Sequence, residues 1–190
     1  AKVSGGKVTG VGAGTVTITA TSNGVSTSKS IQVKEPTIKL DRETANIYPP
    51  ATKTVTFTVT VNGVQGNSGV TWRSGNTKVA TVSNGKVTAV GKGTATITAK
   101  ANGKLAKAKV TVKDPYANVS PTSGTIKVGK TLQLTTNYAP ASTGTPSYSS
   151  SNKKVATVDS KGVVKGVKAG TATITVKVNG VTAKAEITVK

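Results

Sequence analysis

The sequence predicts an all-β chain assembled from repeated small modules, and three observations carry that prediction. First, the stretch Val79 to Val112 returns nearly intact at Val155 to Val189, and again at Ala1 to Val33. Gly14, Gly93 and Gly170 hold one position, 79 and 77 residues apart, and Lys34, Lys113 and Lys190 repeat those spacings. A fixed period of this kind marks a repeat architecture. Second, apolar residues alternate one-for-one with Thr and Lys, the period of a half-buried strand. Third, Asn23-Gly24, Asn102-Gly103 and Asn179-Gly180 interrupt that alternation at equivalent places. Asn-Gly suits the positive φ angles of a two-residue hairpin turn. No segment sustains a helical period.

Composition sets the size of the modules. Aromatics are 3% of the 190 residues, so a core must rest on Val, Ile, Leu and Ala. Such cores are thin, and short repeated units suit them better than one large core. There is no Cys, hence no disulfide framework and no thiolate metal site. No apolar run approaches the ~18 residues of a membrane span, and no signal-peptide pattern opens the chain, so no membrane insertion is expected.

Taken in order, residues 1–35 read as the second half of a module. Ala1-Lys2-Val3-Ser4 aligns with Ala80-Thr81-Val82-Ser83, so the strands that lead the other copies have no counterpart here. Half a sandwich exposes an apolar face and unpaired edges. We therefore expect an excised piece of a longer polypeptide, with upstream or neighbouring polypeptide packed on residues 1–35. Lys29 stands where the other copies have Ala108 and Ala185, implying a frayed strand or a lysine that reaches out to an edge. Residues 36–114 form a complete module. Val55, Phe57, Val59 and Val61 alternate with Thr56, Thr58 and Thr60 as one strand. Ala95, Ile97 and Ala99 form the next alternation, and Ala106, Ala108, Val110 and Val112 the last. Residues 115–190 repeat the pattern with Leu132, Leu134, Ala172, Ile174, Ala183, Ala185, Ile187 and Val189. Boundaries fall near Glu35 and Asp114, each followed by a proline that cannot donate to a ladder.

These residues resemble the bacterial Ig-like domains of group 2. The family pattern places an aromatic strand before Ser-x-Asn, then Val-Ala-Thr-Val, then a glycine turn leading into Gly-Thr-Ala-x-Ile. Here it reads Trp72-Arg73-Ser74-Gly75-Asn76, Val79-Ala80-Thr81-Val82 and Gly91-Lys92-Gly93-Thr94-Ala95-Thr96-Ile97. The last module carries Tyr148, Ser151-Asn152, Val155-Ala156-Thr157-Val158 and Ala169-Gly170-Thr171-Ala172-Thr173-Ile174. The resemblance implies tandem Ig-like β-sandwiches, two complete and one N-terminal half module, of the kind strung along bacterial surface proteins. Such domains occur in adhesins of the intimin and invasin type, surface-layer proteins, cell-wall hydrolases and phage virion proteins. The family brings no shared catalytic residues.

The residues themselves also argue against catalysis. Without His or Cys, the usual general base, the thiol nucleophile and the common metal ligands are missing. The six carboxylates, Glu35, Asp41, Glu43, Asp114, Asp159 and Glu186, are scattered. A calcium site needs several clustered oxygens. Asp41 and Glu43, two apart on one strand face, are read as ion-pairing with Lys39 and Arg42. We expect no catalytic residue, no metal and no cofactor, and assign no ligand-binding residue. Trp72 is either a sugar-stacking platform or a core residue, and the aromatic Tyr148 at its counterpart favours packing. Gly12, Gly14, Gly91 and Gly93 are turn glycines, because a phosphate-binding loop needs a helix after it and a Thr/Ile strand follows.

The charge is the strongest residual feature. The formal net charge is +20. Basic residues outnumber acidic ones four to one in 1–35, twelve to three in 36–114 and ten to two in 115–190. Lys86, Lys92, Lys104, Lys107, Lys109, Lys161, Lys165, Lys168 and Lys184 fall at outward or turn positions. Such a field attracts polyanions and suppresses self-association. Nucleic acid is disfavoured for lack of exposed aromatics and reading motifs. Anionic cell-wall polymers, carbohydrate or an acidic protein surface stay open as partners, beside a face that only keeps a stalk soluble. The expected function is a non-catalytic structural, adhesive or assembly region of an extracellular bacterial surface protein. The alternatives are a phage virion component and a wall-binding accessory region of a larger surface enzyme.

Overall fold

A computed structural model describes every residue except Gly63, and among the described residues it is all-β without a helix. The two complete modules share one plan. In residues 36–114 a four-stranded sheet runs in the order Thr71–Ser74, Gly93–Ala101, Lys104–Val112, Thr44–Ile47. Opposite it lie Ala80–Ser83, Lys86–Ala89 and Thr54–Thr56 in one sheet, and Ile38–Leu40, Val59–Val61 and Val64–Gln65 in another. Residues 115–190 repeat the larger sheet as Ser147–Ser150, Gly170–Val178, Val181–Val189, Ser123–Ile126. Each module buries its own core. Ile47, Phe57, Val79, Val87, Ile97 and Val110 belong to the first; Val119, Leu134, Val155, Val164, Ile174 and Ile187 belong to the second.

The long hairpin of each unit follows from its alternation. Ala95, Ile97, Ala99, Ala108, Val110 and Val112 are all buried, while Thr96, Lys100, Lys107 and Lys109 face outward. Ile97 pairs with Ala108, and Ala101 pairs with Lys104 across a two-residue turn. The turn residues have φ of 49° at Asn102 and 76° at Gly103. Asn23-Gly24 and Asn179-Gly180 repeat this geometry. Such positive φ values match the right-handed twist of the flanking strands, which is why the pair recurs.

One feature departs from the sequence reading and a second lies beyond it. The run Val55 to Val61 is not one strand: Thr54–Thr56 pairs with Lys86–Ala89, whereas Val59–Val61 pairs with Ile38–Leu40 in a different sheet. The inward set survives the break, with Phe57 and Val59 fully buried. At the break the Phe57 N–H donates to the Gly85 carbonyl, so the chain crosses from one layer to another without orphaning that group. The second feature is parallel pairing. After Leu40 the chain also changes layer, and Thr44–Ile47 joins the large sheet parallel to Lys109–Val112. Ser123–Ile126 joins Glu186–Val189 in the same way.

Residues 1–35 form two small antiparallel pairs: Lys2–Ser4 with Lys7–Thr9, and Gly14–Ser22 with Val25–Val33. None of these residues is buried. Lys29 pairs with Ile18 in the register that Ala108 holds with Ile97, and it is exposed.

Candidate functional site

The residues singled out for chemistry are placed apart, and Asp41, Trp72 and Tyr148 each have a structural role. Asp41 lies at the layer crossing between Leu40 and Thr44, outside any strand, so it shares no strand face with Glu43. The Asp41 N–H donates to the Thr58 carbonyl at 2.9 Å, and its Oδ1 accepts the Thr58 N–H at 3.0 Å. Because Thr58 sits where Val55–Val61 breaks, Asp41 ties both layer crossings of the module together. Its Oδ2 accepts from Arg42 Nε and Nη2 at 2.8 and 2.6 Å. The Arg42 guanidinium lies 5.8 Å from the Phe57 ring centroid, a distance at which cation and ring attract. Partial burial pushes the Asp41 carboxyl up, but the Arg42 and Thr58 hydrogen bonds outweigh it and hold the group below its ordinary value. Among the described residues neither Lys39 nor Glu43 enters an ion pair.

Trp72 is half-buried and packs on the core of its module, and Tyr148 does the same in the next. Glycine explains the aromatic at this position. A Cβ on Gly85 would lie 2.5 Å from the Phe57 carbonyl oxygen and 3.2 Å from Trp72 Cζ2. A Cβ on Gly162 would lie 2.8 Å from the Leu134 oxygen and 3.0 Å from Tyr148 Cζ. The ring therefore closes over a glycine turn in both modules, which supports packing over sugar stacking. The polar ends differ. Tyr148 Oη and Thr136 Oγ1 share a hydrogen bond at 2.9 Å, whereas Trp72 Nε1 is buried without a protein partner. The structural counterpart of Thr136 is Val59, which carries no acceptor.

The remaining glycines behave as turn and packing residues. A Cβ on Gly93 would meet Val79 Cγ2 at 3.0 Å, and one on Gly170 would meet Val155 Cγ2 at 3.0 Å. A strand follows each of them. Among the described residues no three of His, Cys, Asp and Glu come together as a metal group, and no helix is long and apolar enough to cross a membrane.

The basic residues are brought together on one face. On the outer side of the four-stranded sheet of residues 36–114, Arg73 aligns with Thr98 and Lys107 across three strands. Lys109 lies two residues further along the same strand, and Lys100 stands on the neighbouring strand. All four are exposed, and none has a carboxylate partner among the described residues. Residues i and i+2 of a strand are about 6.6–6.8 Å apart and adjacent strands about 4.8 Å apart, so the face presents a cationic lattice spaced by threonines. The equivalent face of residues 115–190 is weaker, with Lys177 and Lys184 offset by Glu186. Two acids stand instead at the module ends, where Glu35 pairs with Lys104 at 2.9 Å and Asp114 pairs with Lys92. The Lys104 hydrogen bond and charge hold the Glu35 carboxyl below its ordinary value. Lys34, Glu35, Pro36, Thr37, Asn62 and Asn102 line an open cleft at the first junction.

Comparison with known proteins places this geometry. Two tandem matches to the family model for the bacterial Ig-like domain (group 2) cover residues 37–112 and 116–189. An uncharacterized protein of Clostridium acetobutylicum is 34% identical over 150 residues, 75% of this chain and 15% of that protein. A 3-O-alpha-D-galactosyl-alpha-L-arabinofuranosidase of Bifidobacterium longum subsp. longum is 56% identical over 52 residues, 26% of this chain and 5% of the enzyme. The chain thus spans a small fraction of the curated relatives it matches. Among solved structures, the crystal structure of the S-layer protein rSbsC is similar with a TM-score of 0.44 and 22% identity, over 89% of this chain and 30% of that one. Domains 4 and 5 of SbsC give a TM-score of 0.43 and 21% identity, over 84% of this chain and 99% of that one. The tandem sandwiches, their glycine turns and the two family matches agree: the chain belongs to the bacterial Ig-like domain (group 2) family, a non-catalytic kind of fold.

Proposed function

We propose that these modules are a structural region of an extracellular bacterial surface protein, positioning other parts of it away from the cell. The observation that carries this reading is the pair of family modules, each with a separate, closed core, joined by only Lys113, Asp114 and Pro115 between strands. A short connection containing proline limits how far neighbouring modules swing. The side chains that interact most specifically, Asp41, Trp72 and Tyr148, are used inside the modules rather than offered to a substrate. Antibody against residues 36–190, applied to intact cells of the source bacterium, should label the surface, and external protease should remove the signal. Labelling only after lysis refutes the reading. Replacing residues 36–190 with two unrelated Ig-like modules should preserve the function of the full protein if the role is positional.

A second reading is supported by the cationic lattice of Arg73, Lys100, Lys107 and Lys109: electrostatic retention on anionic cell-wall polymers. Binding of residues 36–190 to purified walls should weaken as salt shortens the ~10 Å screening length at 0.1 M. Retention indifferent to salt, or unchanged when all four residues become Gln, refutes it.

A further inference from the structure

The Asn-Gly pairs that turn the hairpins are also the most reactive backbone positions of the chain. Among the described residues the non-glycine positions with positive φ are Asn23, Asn62, Asn84, Asn102 and Asn179, at 47–52°. A glycine follows each of them. Glycine has no side chain to shield its amide, so that nitrogen can reach the Cγ of the preceding asparagine. Because φ is shared, it does not rank the five sites. They differ in how firmly the asparagine side chain or its glycine is held.

Three of the five are restrained. Asn179 is half-buried; its Nδ2 donates to the Pro140 carbonyl at 2.8 Å and its Oδ1 accepts from Thr143 Oγ1 at 3.3 Å. A Cβ on Gly144 would lie 2.6 Å from that Oδ1, so the amide is tightly packed as well as bonded. Asn62 Oδ1 accepts the Thr37 N–H at 2.9 Å. At Asn84 the glycine is held instead: Gly85 is buried against Trp72, and its carbonyl accepts the Phe57 N–H at 2.9 Å. Asn102 and Asn23 have neither restraint. Both are exposed, as are Gly103 and Gly24, and among the described residues no side-chain hydrogen bond holds either asparagine. The Gly103 N–H, inside the turn closed by Ala101 and Lys104, donates to no backbone carbonyl among the described residues.

We propose that Asn102-Gly103, together with Asn23-Gly24 which shares its features, is a site of spontaneous deamidation, and that the fold protects Asn84 and Asn179. The Gly103 nitrogen bonds to Asn102 Cγ as the Cγ–Nδ2 bond breaks, and ammonia leaves with the proton from the glycine amide. Water then opens the cyclic imide at either carbonyl, leaving aspartate or isoaspartate and releasing a proton. Each conversion lowers the formal net charge of +20 by one. At Asn102 the new carboxylate lies in the junction cleft that Lys34 and Glu35 also line. There it competes with Glu35 for Lys104, whose ammonium Glu35 holds at 2.9 Å. Isoaspartate also inserts a methylene into the backbone of the two-residue turn, displacing Ala101 from its register with Lys104.

The test incubates the whole 190-residue chain at mildly alkaline pH, once folded and once in denaturing urea. Peptide mapping by mass spectrometry follows each Asn-Gly pair, and isoaspartate is identified by labelling with an isoaspartyl methyltransferase. In urea the sites should convert at similar rates, since glycine follows every one. In the folded chain Asn102 should convert at least about 5-fold faster than Asn179, the factor expected from two modest hydrogen bonds that must be released first. Asn84 should lag with Asn179, and Asn23 should keep pace with Asn102. Folded rates that rank as they do in urea overturn the proposal, because the fold then selects nothing. So does a folded chain in which Asn102 stays intact while its urea counterpart converts.

Discussion

One isoleucine occupies the same place in all three units, so a single substitution can be read three times. Ile97 and Ile174 are fully buried in the centre of their long hairpins, whereas Ile18 is only partly covered. Ile→Ala deletes three carbons. At ~0.8 kcal/mol for each buried methylene that is about 2.4 kcal/mol, and the cavity left behind takes the cost into the range of about 2–5 kcal/mol. A module of this size has roughly 4–12 kcal/mol of stability at ~0.05–0.15 kcal/mol per residue, so the loss is a large share. At about 4–8 °C per kcal/mol, Ile97→Ala should lower the melting temperature of its module by at least roughly 10 °C. Trp72 is the only tryptophan, so its fluorescence reports residues 36–114 alone. Ile97→Ala should move the fluorescence transition. Ile174→Ala should move a calorimetric transition and leave the fluorescence one nearly in place, because the two cores are separate. Ile18→Ala should move neither by more than a degree or two. Equal shifts from Ile18→Ala and Ile97→Ala would refute the assignment of residues 1–35 as uncovered. A fluorescence shift from Ile174→Ala as large as that from Ile97→Ala would refute independent modules.

The other predictions test individual contacts. Asp41 is held below its ordinary value of 3.8 in the folded module, so its stabilisation is complete well above that pH and is lost as pH falls through the folded value. Urea midpoints from Trp72 fluorescence should therefore drop below about pH 3.8, and Asp41→Asn should lower the neutral-pH midpoint and flatten that drop; an unchanged acid limb would exclude Asp41 as its source. Gly85→Ala places a Cβ against the Phe57 carbonyl at φ 81°, and the left-handed conformation alone costs about 1–2 kcal/mol. It should destabilise by more than that, whereas Gly6→Ala, with open space around it, should leave the fluorescence transition unmoved. Thr136→Val removes the partner of the half-buried Tyr148 hydroxyl and should cost roughly 0.5–1.5 kcal/mol by calorimetry. The same probe should show no such loss when Val59, its counterpart in the other module, is replaced by Thr, if the new hydroxyl accepts from Trp72 Nε1 as Thr136 bonds Tyr148.

Much of the fold is legible in the sequence because its causes are local. Asn102-Gly103 announces a hairpin, since the turn demands positive φ at two consecutive residues and few pairs tolerate it. Alternation assigns Ile97 and Val110 to the core and Lys107 and Lys109 to solvent, since a strand's side chains point to opposite faces. What alternation does not contain is the identity of the neighbouring strand. Val55 to Val61 keeps its period through a change of sheet, so the break at Phe57 leaves no mark on the pattern. The Asp41 contact to Thr58 spans 17 residues and depends on two crossings meeting in space. The Trp72 site was half legible: its aromatic counterpart Tyr148 pointed to packing, but the glycine beneath the ring and the loss of an acceptor at Val59 emerge only across the layers.

By itself, then, the sequence determined the repeat, the all-β class, the hairpin turns, the inward and outward faces and the absence of His and Cys chemistry, all consequences of spacing and residue type. Only the tertiary structure decided the parallel entry of Thr44–Ile47, the double layer crossing pinned by Asp41, and the convergence of Arg73, Lys100, Lys107 and Lys109 on one sheet face. Each of these depends on which strands become neighbours. That choice is made by backbone hydrogen bonds and buried area between segments far apart in the chain, and no local pattern encodes it.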